Sequence, residues 1–165
     1  MINHLVELTV NNATAESFYN FMINPNNDKY RQWWPEEHLQ FYITKHGNTD
    51  HLGDEVFYNE YLGKKRRLAF NALLTTANKP NNIVWQMKKA GIKLPAFLSV
   101  DFLDTKDGLY IRHELKVGFS GIGKLIDPFI KLYINKSFLA ALEKHCLTEW
   151  PKLAYFLNKE KSNAT

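Results

Sequence analysis

Only one of the 165 residues is a cysteine, Cys146. That excludes an intramolecular disulfide and every metal motif built on several cysteines. Long apolar runs are also missing: Phe138 to Leu142 falls far short of the ~18 residues a membrane span requires. Met1-Ile2-Asn3-His4 carries no basic region leading into an apolar stretch, so no signal peptide is expected and a reducing, cytoplasmic setting is. Proline and glycine are sparse, at 6 and 8 residues, and no Pro/Ser linker, repeat or low-complexity tract divides the chain. At ~100–200 residues per domain, one domain is expected. The charge excess is small: 21 Lys+Arg less 17 Asp+Glu gives +4. That is modest beside the basic footprint of nucleic-acid binders. No glycine-rich phosphate loop, helix-turn-helix or zinc-finger pattern appears, and Gly118 to Gly123 lacks the βαβ context of a dinucleotide site. A nucleic-acid partner is therefore not expected. Aromatics are what the chain has in quantity, with 11 Phe, 8 Tyr and 4 Trp, so any core or pocket will be rich in rings.

The order of periodicities is more informative than any motif. Leu5 to Val10 alternates as a strand, with Val6, Leu8 and Val10 on one side. Asn11 or Asn12 offers a helix cap before Ala13 to Met22, where Phe18, Phe21 and Met22 recur at helical spacing. Asn24-Pro25-Asn26-Asn27 breaks that helix, and a second short one covers Asp28 to Trp33. From Leu39 the period is two, with Leu39, Phe41 and Ile43 opposite Gln40, Tyr42 and Thr44. Glu55 to Leu62 and Arg67 to Thr76 flank a hairpin turn. After the turn at Asn78 to Asn82 comes a strand over Ile83 to Met87, then a connection from Lys88 to Pro95. Ala96 to Leu103 and Leu109 to Val117 form another hairpin. The rest is helical, with Leu139, Leu142, Cys146, Trp150, Leu153 and Leu157 along one stripe. Pro151 lies within that helix and introduces a kink or break near Glu149. Consecutive strands with short turns must be antiparallel. The expectation is an α+β architecture: a curved seven-stranded antiparallel sheet wrapped around a long C-terminal helix, with two short helices between strands 1 and 2.

This order resembles the START/SRPBCC superfamily, the helix-grip fold of birch-pollen-allergen-like and polyketide-cyclase-like proteins. The resemblance is carried by the early helix Ala13 to Met22, by Trp33-Trp34-Pro35 entering the second strand and by Gly53-Asp54-Glu55-Val56 opening the third. It is completed by the exit Gly118-Phe119-Ser120-Gly121-Ile122-Gly123 into a helix of about thirty residues, roughly 45 Å long. It implies a single START/SRPBCC-like domain over 1–158, followed by a polar, frayed tail over 159–165. It further implies a pocket between sheet and helix for an apolar or amphiphilic small molecule such as a lipid, an aromatic or a polyketide-like compound. Some relatives cyclise or dehydrate polyketides and others only carry a ligand. The superfamily has no universal catalytic motif to transfer.

Among individual residues, His113 is the most pointed. Leu109, Ile111, His113, Leu115 and Val117 share one strand face, which sends the imidazole inward. It is either a polar anchor or acid/base group in a pocket, or a core histidine satisfied by a polar neighbour. Ile83, Trp85 and Met87, then Leu98, Val100 and Phe102, face the same way as Ile111 and Leu115. Phe129 and Tyr133 close the other side. Core packing and a pocket wall share this signature. On Glu55 to Leu62 alternation does not decide which face is inward, and an exposed Glu60 is the ordinary expectation. His46, Asp50, His51 and Asp54 crowd one loop without the spacing of a metal site, so no metal and no cofactor is expected. Cys146 reads as a small core residue whose sequence neighbour His145 points about 100° away around the helix. The basic turns at Lys64 to Arg67 and Lys88 to Lys93 share one end of the sheet, where they solubilise a hairpin or meet an anionic surface.

The reading that follows is binding of a small apolar molecule. Two alternatives stand beside it: a cyclase/dehydratase-type enzyme with His113 as acid/base, and a protein that docks on a partner or peripherally on a membrane. Oligomeric state leaves no mark in the sequence.

Overall fold

A computed structural model describes residues 1–63, 65–119 and 133–163. The chain runs β1 (Ile2–Val10), α1 (Ala15–Ile23), α2 (Asn27–Trp33), β2 (His38–Lys45), β3 (Glu55–Leu62), β4 (Arg66–Asn78), β5 (Asn82–Lys89), β6 (Ile92–Thr105), β7 (Gly108–Val117) and α3 (Lys136–Asn163). The strands form one antiparallel sheet in the order β1-β7-β6-β5-β4-β3-β2. Only the β1–β7 pairing joins strands distant in sequence. Along it Ile2 faces Val117 and Val10 faces Leu109. This is the architecture expected from the sequence.

Several boundaries differ for local reasons. Thr14, not Asn11 or Asn12, caps the first helix: its hydroxyl accepts from Ser17 N while Ser17 returns a bond to the Thr14 backbone. Asn12 instead turns the chain at φ 57. Asn26 caps α2 by accepting from Lys29 N. Residues 88–95 are strand rather than connector. Ala90 and Gly91, both with positive φ, make a two-residue hairpin turn of the kind that matches strand twist, and Pro95 sits inside β6. In β2 a register shift between His38 and Gln40 breaks the alternation. His38 and Phe41 are therefore the buried residues, while Leu39 is only half-buried. The expected tail over 159–165 is helical through Asn163, and Glu160 bridges Lys29 of α2 at 2.9 Å. Pro151 lies within α3, whose bounds are uninterrupted.

The core is built where α3 crosses the sheet. Cys146, Trp150 and Leu153 are fully buried among Phe18, Phe102, Leu109 and Ile111. Phe18 meets Phe102 and Trp150 with ring centroids 6.1 and 6.2 Å apart. A second cluster, Leu62, Leu115, Val117 and Phe138, closes the other end of the helix. No described helix is long and apolar enough to cross a membrane.

Candidate functional site

Between the two clusters the structure leaves a cavity of about 660 Å³. On α3 its wall is Phe138, Leu142, His145 and Glu149, a run with helical spacings of four, three and four that forms one face. Opposite stand Trp85, Met87, Leu98, Val100, His113 and Leu115 from β5, β6 and β7. The wall reaches exposed Lys89, Ala90 and Tyr133 at one end and buried Trp150 at the other. Seven of the residues singled out in the sequence thus border one space: Trp85, Met87, Leu98, Val100, His113, Leu115 and Tyr133. Ile83, Phe102 and Ile111 share their strand faces but lie in solid core, with no accessible surface to speak of (0–1 %). Phe129 lies outside the described residues.

Beside Asn71, Lys88 and Lys89, the wall carries the polar groups Glu60, His113, His145 and Glu149. Val56, Tyr58, Glu60 and Leu62 form the inward face of β3, so Glu60 is not a surface residue as expected but part of the cavity wall. Its carboxylate accepts from the Tyr30 hydroxyl at 2.6 Å. Burial, reinforced by Glu60, raises the Tyr30 and Tyr58 phenols well above their usual range, so both stay protonated.

His113 has a partner that the sequence did not reveal. Its Nδ1 lies 2.8 Å from Cys146 Sγ on α3. Burial pushes the Cys146 thiol up, and burial pushes His113 down to about 4, with only partial opposition from Glu149. The pair is therefore a neutral thiol and a neutral imidazole, not a nucleophile and its base. With Nδ1 engaged by the thiol, the other ring nitrogen is Nε2. That atom is buried and has no hydrogen-bond partner among the described residues, and the same is true of Trp150 Nε1. The two rings are 5.8 Å apart, and both border the cavity.

A second polar group, missed in the sequence, lies beside it. His38, turned inward by the β2 bulge, stacks on Tyr30 at 4.3 Å and meets Trp33 edge-on at 4.4 Å. His145 stacks on Trp34 at 4.7 Å. Glu149 sits between them, 3.4 Å from His38 Nε2 and 3.7 Å from His145 Nε2. Its carboxyl is pushed up by burial, but the rings of His145, His38 and His113 outweigh this and leave it below the ordinary carboxylate range. Among the described residues this is the one His/Cys/Asp/Glu group with ligand atoms close enough to share a cation. The loop cluster at 46–54 is differently employed: Asp54 accepts from Gly47 N and sits 2.9 Å from His51 Nδ1, pinning the loop to itself. The basic end of the sheet is also engaged, since Lys88 pairs with Glu55 at 2.5 Å and Arg66 lies over the Phe138 ring.

No protein-family model and no curated protein matches the sequence. Solved structures do match in fold. A START superfamily protein from Mycobacterium smegmatis is 16% identical over 86% of this chain and 96% of its own, with a TM-score of 0.51. A major latex-like protein from Panax ginseng is 10% identical over 87% and 96%, with a TM-score of 0.57. A Thermus thermophilus protein is 8% identical over 96% and 99%, with a TM-score of 0.63. At such identities the likeness concerns architecture: the chain has the α+β helix-grip fold shared by START superfamily and major latex-like proteins.

Proposed function

We propose that the protein binds one amphiphilic small molecule, of lipid, aromatic or polyketide-like type, in the cavity between α3 and the sheet. The observation that carries this reading is a largely apolar cavity of about 660 Å³ with the unpartnered ring nitrogens His113 Nε2 and Trp150 Nε1 in its wall. The volume is within the ~300–1,000 Å³ of ordinary ligand sites. Buried donors without acceptors are costly, and an occupant carrying a carbonyl, carboxylate or hydroxyl oxygen would satisfy them. Burial lowers His113 to about 4, so it offers an occupant a neutral ring nitrogen, and the reading is one of binding. A single buried, unpaired cysteine accords with a reducing, cytoplasmic setting.

Titration with a fluorescent fatty acid, together with mass spectrometry of whatever co-purifies, tests the proposal. Saturable one-to-one binding is expected. Leu98→Trp should abolish it by filling the cavity while the fold survives. His113→Ala should weaken it roughly 3- to 10-fold, the worth of one hydrogen bond. Folded protein that retains no organic molecule and binds no probe, or binding that Leu98→Trp leaves intact, refutes it.

A further inference from the structure

His38, His145 and Glu149 bring two imidazole rings and a carboxylate together in a buried place. His38 Nδ1 lies 3.2 Å from the Tyr30 carbonyl oxygen, which can only accept, so Nδ1 carries a proton. In a neutral ring, Nε2 then turns a lone pair toward the Glu149 carboxylate 3.4 Å away. That nitrogen is buried, has no hydrogen-bond partner among the described residues, and belongs to a side chain with 0 % exposure. On α3, His145 places Nε2 3.7 Å from the other Glu149 oxygen, while its Nδ1 is 3.6 Å from a Glu37 oxygen. Each imidazole therefore has one nitrogen near the same carboxylate; the other nitrogen of His38 meets the Tyr30 carbonyl oxygen, whereas that of His145 lies near Glu37 without a hydrogen bond. Outer-shell acceptors of this kind, a backbone carbonyl and a carboxylate, orient metal-bound histidines.

From this we infer a binding site for a divalent first-row transition metal of the zinc class, with His38 Nε2, His145 Nε2 and a Glu149 oxygen as ligands. The three ligand atoms lie within 4.8 Å of one another. Metal bonds of 2.0–2.1 Å in tetrahedral geometry bring such atoms to about 3.3 Å, so the two rings, now 3.4 and 3.7 Å from different Glu149 oxygens, would draw in around the ion. Two imidazoles with one carboxylate form a donor set suited to zinc and iron rather than to calcium or magnesium. His145 and Glu149 also border the cavity, so a further coordination position would be filled from that side by water or by an oxygen of an occupant. The inference stands on the histidine and carboxylate geometry and does not depend on what the cavity holds.

The test is Zn²⁺ titration of the full chain after chelator treatment, with the metal alone and no organic ligand. Uptake of about one equivalent is expected, with a metal-dependent rise in melting temperature. Co²⁺ should give d–d absorption of low coordination number without thiolate charge transfer, which separates this site from Cys146. Glu149→Gln and His145→Gln should each weaken affinity at least about 100-fold, at the upper end of what loss of an outer-shell partner costs. His51→Gln, in the exposed loop cluster, should leave it unchanged. Circular dichroism establishes that each variant is folded; should Glu149→Gln unfold, the wild-type Co²⁺ spectrum and thermal shift decide. Folded wild type that takes up neither ion, or Glu149→Gln and His145→Gln that bind as well as wild type, overturns the site. Fatty-acid binding to the metal-free protein is scored separately, so failure of one reading does not imply failure of the other.

Discussion

Titrating His113 gives the sharpest check on how its surroundings are built. Burial lowers its folded pKa from an ordinary 6.5 to about 4, Glu149 opposing the shift and His145 and His4 assisting it. Cys146 Sγ faces the ring from α3, and the thiol stays neutral throughout this range. Between pH 6.5 and about 4 the unfolded chain binds a proton at His113 and the folded chain does not. Stability therefore falls as the pH is lowered through that window. It is fully present above 6.5, and this residue costs nothing more below about 4. At 1.36 kcal/mol per pH unit the loss is on the order of 3 kcal/mol, a sizeable part of the 5–15 kcal/mol typical of a domain.

Urea unfolding at pH 7, 6, 5 and 4 reads this directly when wild type is set against His113→Gln, which cannot titrate. The variant is expected to start less stable, because it loses packing against Trp150 and the bond to Cys146. It should then fall less steeply, so that the gap between the two proteins narrows by about 3 kcal/mol from pH 7 to pH 4. Carboxylates remote from His113 contribute the same acid loss to both and cancel in the comparison; Glu149, which interacts with the ring, does not. Parallel curves across that range would refute the claim that the imidazole is desolvated and neutral.

Three further outcomes follow from the packing. Phe18→Ala removes a ring with 0 % exposure between Phe102 and Trp150 and should cost about 3–5 kcal/mol by urea unfolding. Tyr30→Phe deletes the 2.6 Å donor to Glu60 and should cost about 1.5–3 kcal/mol, whereas Glu60→Gln, which keeps an acceptor, should cost less in the same assay. Gly108→Ala places a Cβ 2.7 Å from the Val10 carbonyl oxygen at a φ of +126°. Strain there should cost about 1–3 kcal/mol and lower the melting temperature, with faster amide exchange along the β1–β7 pairing.

Much of this architecture could be read from the chain because its two longest signals were clean. Along β7 the inward residues Leu109, Ile111, His113, Leu115 and Val117 are all buried, as strict alternation predicts. On α3 the stripe through Cys146, Trp150 and Leu153 is the part that meets the sheet. Alternation failed where geometry departed from a regular strand. The β2 bulge put His38 inside against the period of two, and Pro95 made the start of β6 look like a connector. On β3 both faces carry aromatics, with Phe57 packed on Tyr42 outside and Tyr58 on Phe70 inside, so composition gave no direction for Glu60. The histidine–carboxylate group comes from residues 38, 145 and 149. Its one local sign was the four-residue spacing of His145 and Glu149, which places both on one helix face. A single apolar stripe makes that face look solvent-exposed. It is buried because α2 and its exit carry Trp33 and Trp34 over it: the Trp33 indole donates to the Glu149 carbonyl oxygen at 3.2 Å, and Trp34 stacks on His145.

Stability alone gives no reason for the chain to keep these groups. Two histidines and the carboxylates Glu37 and Glu149 are each less than a tenth exposed, and apolar side chains of similar shape would hold α3 against β2 as well or better. Their cost is lowest where one side of the cluster faces a space that an ion, a water or the polar end of a ligand can fill. That is where they stand, between the solid aromatic core around Trp150 and the apolar cavity. The unpartnered ring nitrogens of His113 and Trp150 stand in the wall of the same cavity. Among the described residues the buried polar atoms without hydrogen-bond partners include ring nitrogens of His113, His145 and Trp150 in the cavity wall, beside others at His4, His38 and Arg66 that lie outside it, and the first three are the ones an occupant of the cavity would reach.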